Sequence, residues 1–171
     1  MSQENVDVVG RTYEAFDRRE MYLDVWHPEA EFRPAMAGAV EGKVYRGHSE
    51  MRHYLNELFE SFSEVLVEDR EFRDLGDRVL VLYQLRVQGR DSDLEIDQPG
   101  AALYELRDGK ILWAASYLSQ ADALKAAGVF GVGAIPSRAK PGSGHAPNAR
   151  GQRRAHWAPV RFQHPDQAPA V

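Results

Sequence analysis

Tyr13, Tyr54 and Tyr83 are the first residues in this chain whose types and spacing suggest chemistry. Each lies on the apolar face of an amphipathic pattern. Tyr13 follows Val6 and Val9 at helical spacing, Tyr54 stands among Met51, Leu55 and Leu58, and Tyr83 alternates with Val79, Val81, Leu85 and Val87. A buried tyrosine needs a partner for its hydroxyl. Three of them around one cavity could orient a carbonyl or a phenol through hydrogen bonds. The alternative is core packing, with the hydroxyls satisfied by backbone or water. Arg33, in the stretch "HPEAEFRPA", offers a second chemistry. Its planar fork suits the paired oxygens of a carboxylate or enolate, and burying it without a counter-charge is costly. The alternative for Arg33 is a structural pair with Glu31 or Glu41, or exposure at a rim.

The acidic run "DSDLEID" places Asp91, Asp93, Glu95 and Asp97 on one face of a strand, because side chains alternate with period two. A solvated edge is the plain reading. A calcium loop is excluded, since it wants Gly where Ile96 stands and Glu where Ala102 stands. Pro99 and Gly100 could form a bulge that turns Asp97 inward. An apolar cavity would then raise its pKa and make it a candidate general base, with Tyr13 or Tyr54 polarising an oxygen. His27 reads as a helix-end residue, and His48 and His53 are five apart, so they share no helical face for a metal clip. The chain has no cysteine, which excludes disulfides and thiolate metal sites. No phosphate loop, nucleophile elbow or zinc-protease motif occurs, and "GVFGVGAIP" follows a helix instead of a strand. Neither a metal nor a cofactor is expected.

The elements that must position these residues follow from periodicity. A first helix carries Val6, Val9, Tyr13 and Phe16 on one face, with Ser2 available as its cap. "REMYLDVW" predicts a short second helix closed by Trp26, the expected pocket floor. Pro28 stops it at His27. "EAEFRP" predicts a strand. "YRGHSEMRHYLNELFESF" predicts a third helix. Strands follow in "EVLVEDREFRDL", "VLVLYQLRVQG" and the segment through "ILWAASYL", with Asp-Gly in "RDGK" as a two-residue hairpin turn. "SQADALKAAG" is a last helix, capped by Ser119 and stopped by Gly128.

Helices first and an antiparallel meander afterwards argue an α+β fold. The expected form is a conical barrel: a curved, antiparallel-rich sheet wrapped around three N-terminal helices, with a short C-terminal helix. Leu80 and Leu82 make the outer sheet face apolar too, so something should cover it, and a second copy of the sheet is the simplest candidate.

Of the 171 residues, 43% are hydrophobic and 27% charged. Residues 1–130 hold 15 Lys and Arg against 25 Asp and Glu, a net −10, while 131–171 hold 6 against 1, a net +5. The acidic part repels phosphate, so nucleic acid is a disfavoured partner. Residues 131–171 carry 5 Gly and 6 Pro and too few apolar side chains to offset the entropy of ordering, which predicts a flexible, disordered tail beyond a domain at 1–130. No apolar run approaches a membrane span, and the polar opening "MSQENVDVVG" lacks a signal-peptide core. A cytoplasmic protein is expected.

Taken together, "SQENVDVVGRTYEAFDRRE", "HPEAEFRPA", "VYRGHSEMRHYLNELFE", "DRVLVLYQLRVQGR", "LRDGKIL" and "YLSQADALKAAGV" resemble a SnoaL-like domain of the nuclear transport factor and ketosteroid isomerase-like superfamily. The resemblance covers about residues 2–130. It implies a conical α+β barrel, frequently a homodimer through the outer sheet face, with a pocket for a small, mostly apolar molecule. Family members include isomerases, cyclases, dehydratases and proteins without known catalysis. Fold does not give function, so the positions matter. The resemblance places the isomerase base at Arg33 or Pro34, its oxyanion tyrosine at Thr12 beside Tyr13, and its oxyanion Asp near Ala101. The essential Asp of the cyclases matches Ser116. The family's usual carboxylates are therefore absent.

The expected pocket is lined by Trp26, Phe32, Arg33, Met51, Leu58, Tyr83, Leu103 and Ser116, with Asp97 as the base. The expected role is binding a small hydrophobic molecule, with isomerisation or cyclisation next to a carbonyl if the protein is an enzyme. A non-catalytic carrier or sensor, or a dimeric scaffold with a filled cone, is the alternative.

Overall fold

The computed structural model describes residues 2–36 and 42–129. The expected tail at 131–171, the Glu41 partner for Arg33 and the side-chain cap from Ser2 lie outside what is described.

The chain opens with helix α1 (Ser2–Asp17), then a single 3-10 turn (Leu23–Val25), strand β1 (Trp26–Arg33) and a two-residue strand β2 (Tyr45–Arg46). Helix α2 (Gly47–Ser61) leads into four strands, β3 (Phe62–Asp74), β4 (Arg78–Gly89), β5 (Glu95–Arg107) and β6 (Lys110–Tyr117), and then helix α3 (Gln120–Ala126). The second helix expected over "REMYLDVW" is only the 3-10 turn. Trp26 is extended (φ −102°, ψ 135°) and begins β1 instead of closing a helix. His27 therefore sits in a strand, where its Nδ1 accepts the Glu29 N–H at 3.1 Å.

The six strands form one mixed sheet in the order β2-β1-β6-β5-β4-β3. Strands β3 to β6 are the expected antiparallel meander. Strand β1 pairs parallel with β6, a contact between segments far apart in the sequence that local patterns could not reveal. The β5–β6 hairpin turns on Asp108 (φ 52°) and Gly109 (φ 73°), the positive pair that a two-residue turn of this hand requires. In the β3–β4 pair the register slips by one residue between Glu68 and Glu71, with Asp69 at φ 49°. Such a bulge sharpens local twist and re-aims the neighbouring side chain. Here that side chain is Arg70, which reaches α1 to pair with Asp17 and lies over the Tyr13 ring at 5.0 Å.

Strand alternation gives the sheet two apolar faces with different partners. On the concave face Val79, Val81, Tyr83, Leu85 and Val87 of β4 pack with Val9 and Tyr13 of α1 and with Met51, Leu55 and Leu58 of α2. On the convex face Leu80, Leu82, Ala101 and Leu103 pack beneath Ala123, Leu124 and Ala127 of the α3 region. The cover expected for the outer face thus comes, in part, from the chain's own last helix. Ser119 caps α3 by accepting the Asp122 N–H at 3.3 Å, as expected. The helix ends at Gly128 with φ +70°. Among the described residues no helix is long and apolar enough to cross a membrane.

Candidate functional site

Between the concave sheet face and the helices lies a cavity of about 120 Å³. Helix α1 contributes Thr12, Tyr13 and Phe16, strand β1 Trp26 and Phe32, and helix α2 Met51, Tyr54, Leu55 and Leu58. The sheet supplies Val65, Val67, Tyr83, Leu85, Ala102, Tyr104 and Ser116. Met21, Ala35, Met36 and Leu118 complete the wall. Among the described residues this wall carries no Asp, Glu, His, Lys or Arg.

Aromatic rings meet along one side, edge to face or tilted. Tyr13 stands 6.1 Å from Tyr104 and 6.4 Å from Tyr83, and Trp26 stands 6.3 Å from Tyr104 and 6.2 Å from Phe32. Tyr54 is wedged between Phe32 at 5.2 Å and Tyr45 at 5.0 Å. Such rings supply large apolar area with preferred geometry. Loss of water raises all four cavity tyrosines above their ordinary pKa. Tyr104 is pushed up to about 12 by burial, against which a hydrogen bond from Tyr13 and the charge of Arg70 act. At neutral pH these hydroxyls are therefore protonated donors.

Several donors are already engaged. Tyr83 donates to the Ala101 carbonyl at 3.0 Å. Its ring lies so close over Gly100 that a Cβ there would sit 2.6 Å from Tyr83 Cε2. Ser116 Oγ accepts the Ala35 N–H at 2.7 Å, which ties the end of β1 to β6. His48 Nε2 bonds the Trp26 carbonyl at 3.0 Å and fixes the start of α2 against β1. His53 pairs with Glu57 at 3.2 Å, away from both other histidines' partners. Among the described residues no group of three His, Asp or Glu could hold a metal.

Eight residues singled out from sequence meet at this cavity: Tyr13, Trp26, Phe32, Met51, Tyr54, Leu58, Tyr83 and Ser116. Three do not. Asp97 pairs in register with Arg86, and the β4–β5 ladder runs unbroken through Pro99 and Gly100. No bulge turns it inward. Asp97 stays on the convex face, accepting from Gln84 Nε2 at 2.7 Å with Arg86 at 3.7 Å. Leu103 likewise faces outward, opposite Leu80 and beneath α3. Arg33 is 55% exposed and pairs with Glu31 at 3.8 Å, so its charge stays in water. Arg46 is the stronger partner of that acid at 2.9 Å and, with Arg33, holds the Glu31 carboxyl below its ordinary pKa.

Tyr104 is a cavity residue that the sequence reading did not place there, although parity could have found it, since it alternates with Ala102 opposite Val79 and Val81. Thr12 also enters the wall, at the position that the resemblance matched to the isomerase's oxyanion tyrosine.

The sequence pattern of the SnoaL-like domain family matches residues 9–113. A search of curated protein sequences finds no match. Among solved structures, the chain is similar to an NTF2-like protein of unknown function from Burkholderia pseudomallei (20% identity, TM-score 0.60), with 71% of this chain and 95% of that one covered. TerC co-crystallised with polyporic acid is similar at 20% identity and TM-score 0.60, over 73% of this chain and 98% of that one. A candidate SnoaL-like polyketide cyclase from a Jannaschia species is similar at 19% identity and TM-score 0.57, over 77% and 95%. At these identities the likeness establishes the shared fold.

Proposed function

Since this chain belongs to the family of SnoaL-like domains, we propose that its cavity binds a small hydrophobic molecule and acts as a carrier or sensor site. One observation carries this reading: the described wall is apolar and aromatic, with tyrosine, threonine, serine and tryptophan as its only polar groups. Ligand pockets of this kind use apolar area for affinity and a few placed polar groups for orientation. The structure of TerC with polyporic acid supports a small-molecule role for the fold.

Isomerisation or cyclisation next to a carbonyl needs a base within hydrogen-bond reach of the abstracted proton. Asp97, the base expected from sequence, bonds Gln84 on the opposite face of the sheet. Binding is therefore favoured over proton transfer.

The experiment is native mass spectrometry of the full chain purified from cells that produce it, beside an Ala102→Leu variant. Ala102 is 3% exposed and lines the cavity, so the larger side chain occupies the space a ligand would take. A small organic adduct on the parent that is absent from the variant supports the proposal. An equal adduct on both overturns it.

A second copy of the chain is the proposed partner of the convex face. Beside α3 an open groove of about 490 Å³ is lined by Leu103, Leu112, Trp113 and Ala126, with Glu29, Glu31, Glu105 and Arg78 around them. The mixed lining, with the aromatic Trp113 among its apolar residues, suits an interface between sheets.

A further inference from the structure

The cavity's four tyrosines enter from different walls: Tyr13 from α1, Tyr54 from α2, Tyr83 from β4 and Tyr104 from β5. Burial raises the pKa of each most. Beyond burial, Tyr13 is raised by Tyr104 and Tyr83, Tyr54 by Tyr45 and Tyr104, and Tyr83 by Tyr104 and Tyr54. Groups that perturb one another in this way lie close together. The hydroxyl ends therefore converge on the space that the four walls enclose.

Two of these hydroxyls are committed as donors. Tyr83 donates to the Ala101 carbonyl at 3.0 Å, and Tyr13 donates to Tyr104. The protons of Tyr104 and Tyr54 have no acceptor among the described residues. Thr12 Oγ1 and Trp26 Nε1 are also unpaired, but they are sealed even from the cavity. The Tyr54 hydroxyl is not among the sealed atoms, so it borders open space. The Tyr104 hydroxyl, accepting from Tyr13, donates more strongly, because bonds in a chain polarise one another. The Arg70 guanidinium, 5.0 Å over the Tyr13 ring, adds a positive charge behind that chain.

Tyr54 and Tyr104 stand at the two ends of an arc of rings. Tyr54 meets Phe32 at 5.2 Å, Phe32 meets Trp26 at 6.2 Å, and Trp26 meets Tyr104 at 6.3 Å. An apolar group packed on Phe32 and Trp26 has a hydroxyl on either side of it. Leu118 is 36% exposed and belongs to the same wall, so the cavity reaches the surface and a ligand can extend outward. Two free donors select an oxygen that accepts twice and carries no proton, which is a carbonyl oxygen. A carboxylate would bring its charge to a described wall without a cation, which is costly.

Resting on the binding role proposed above, we infer that Tyr54 and Tyr104 together donate to one carbonyl oxygen, so that the ligand is an uncharged ketone, aldehyde or ester whose apolar part packs on Phe32 and Trp26. Neither residue stands where the resemblance matched the isomerase's oxyanion groups, at Thr12 and near Ala101.

Calorimetry of the full chain compares acetophenone with α-methylstyrene, which has the same shape and a CH2 group in place of the oxygen. The parent should bind acetophenone about tenfold more tightly, the gain of two hydrogen bonds. Tyr54→Phe should cut that ratio about threefold, the share of one bond. Removing the Tyr104 hydroxyl alone frees the Tyr13 proton for the same oxygen. The matching variant is therefore Tyr13→Phe/Tyr104→Phe, with the same expected loss. Ala102→Leu should weaken both probes.

A ratio near one in the parent, or a ratio unchanged by either tyrosine variant, overturns the two-donor assignment, while the cavity remains a binding site. Benzoate binding as tightly as acetophenone overturns the restriction to uncharged carbonyls. No binding of acetophenone overturns the inference, and the native adduct then decides the binding proposal separately. Affinities that Ala102→Leu leaves unchanged overturn both.

If the tyrosine variants do not fold, the infrared carbonyl stretch of acetophenone bound to the parent decides. It should lie below the value for acetophenone singly hydrogen-bonded to phenol in hexane. A stretch at or above that value overturns the two-donor assignment.

Discussion

Asp97 belongs to a strand in which one residue of register exchanges the two faces. Its side chain is an acceptor for Gln84 and a neighbour of Arg86, both exposed in part and both on the convex face. Asp97→Asn keeps the oxygen that Gln84 uses. The organic adduct seen by native mass spectrometry should then be carried at the parent's level, since substitutions at exposed sites usually change stability by no more than roughly 0.5 kcal/mol. Loss of the adduct from this variant returns Asp97 to the site. The same alternation explains Leu103 and Tyr104. They are adjacent in sequence, yet one packs under α3 and the other beside Tyr13.

Among the elements, α3 has the most to do with the least chain. It covers Leu80, Leu82 and Leu103, and its Gln120 Nε2 reaches the Tyr83 carbonyl at 3.4 Å and the Gly100 carbonyl at 3.3 Å. A helix of seven residues is too short to hold itself and depends on its cap and its packing. Ser119→Ala removes the acceptor for the Asp122 N–H, and a lost cap of this type costs about 1 kcal/mol. Urea unfolding should show a lower midpoint with an unchanged slope. An unchanged midpoint means that packing alone fixes the helix. The elements that sequence patterns identified well, α1, α2, α3 and the β5–β6 hairpin, are those with long periodicity or distinct end signals. "REMYLDVW" failed as a helix because Trp26 gains more from an extended place in β1, parallel to β6, than from one more helical turn.

For the molecule as a whole, the buried tyrosines link stability to pH. An unfolded tyrosine ionises near pH 10, while burial raises Tyr13, Tyr54, Tyr83 and Tyr104 in the folded chain. Below about pH 10 both states keep the proton and the tyrosines add no slope. Above it the unfolded chain releases protons first. Their contribution is then lost as pH rises toward the folded values, about 12 for Tyr104. Urea midpoints should therefore be level in this respect from pH 7 to 9 and fall at pH 10.5. Absorbance at 295 nm should show four tyrosines resisting ionisation until the chain unfolds. The assembly is tested at the same scale. Trp113→Glu places a charge in the convex groove and should convert a dimer to a monomer in sedimentation velocity, and a parent that already sediments as a monomer refutes the pairing.

The order of helices and strands, the apolar faces of α1, α2 and β4, the Asp-Gly turn and the cap at Ser119 are all legible in the sequence. Each depends on residues within a few positions of one another, where sterics and hydrogen bonding act locally. Tertiary structure alone decided that β1 lies parallel to β6, that the register through Pro99 and Gly100 is unbroken, and that Asp97 faces away from the cavity. It also decided that Trp26 and Thr12 enter one wall, with Trp26 Nε1 and Thr12 Oγ1 buried without a partner among the described residues. These depend on how strands far apart in the chain align. A shift of one residue there reverses every side chain while leaving the local pattern the same.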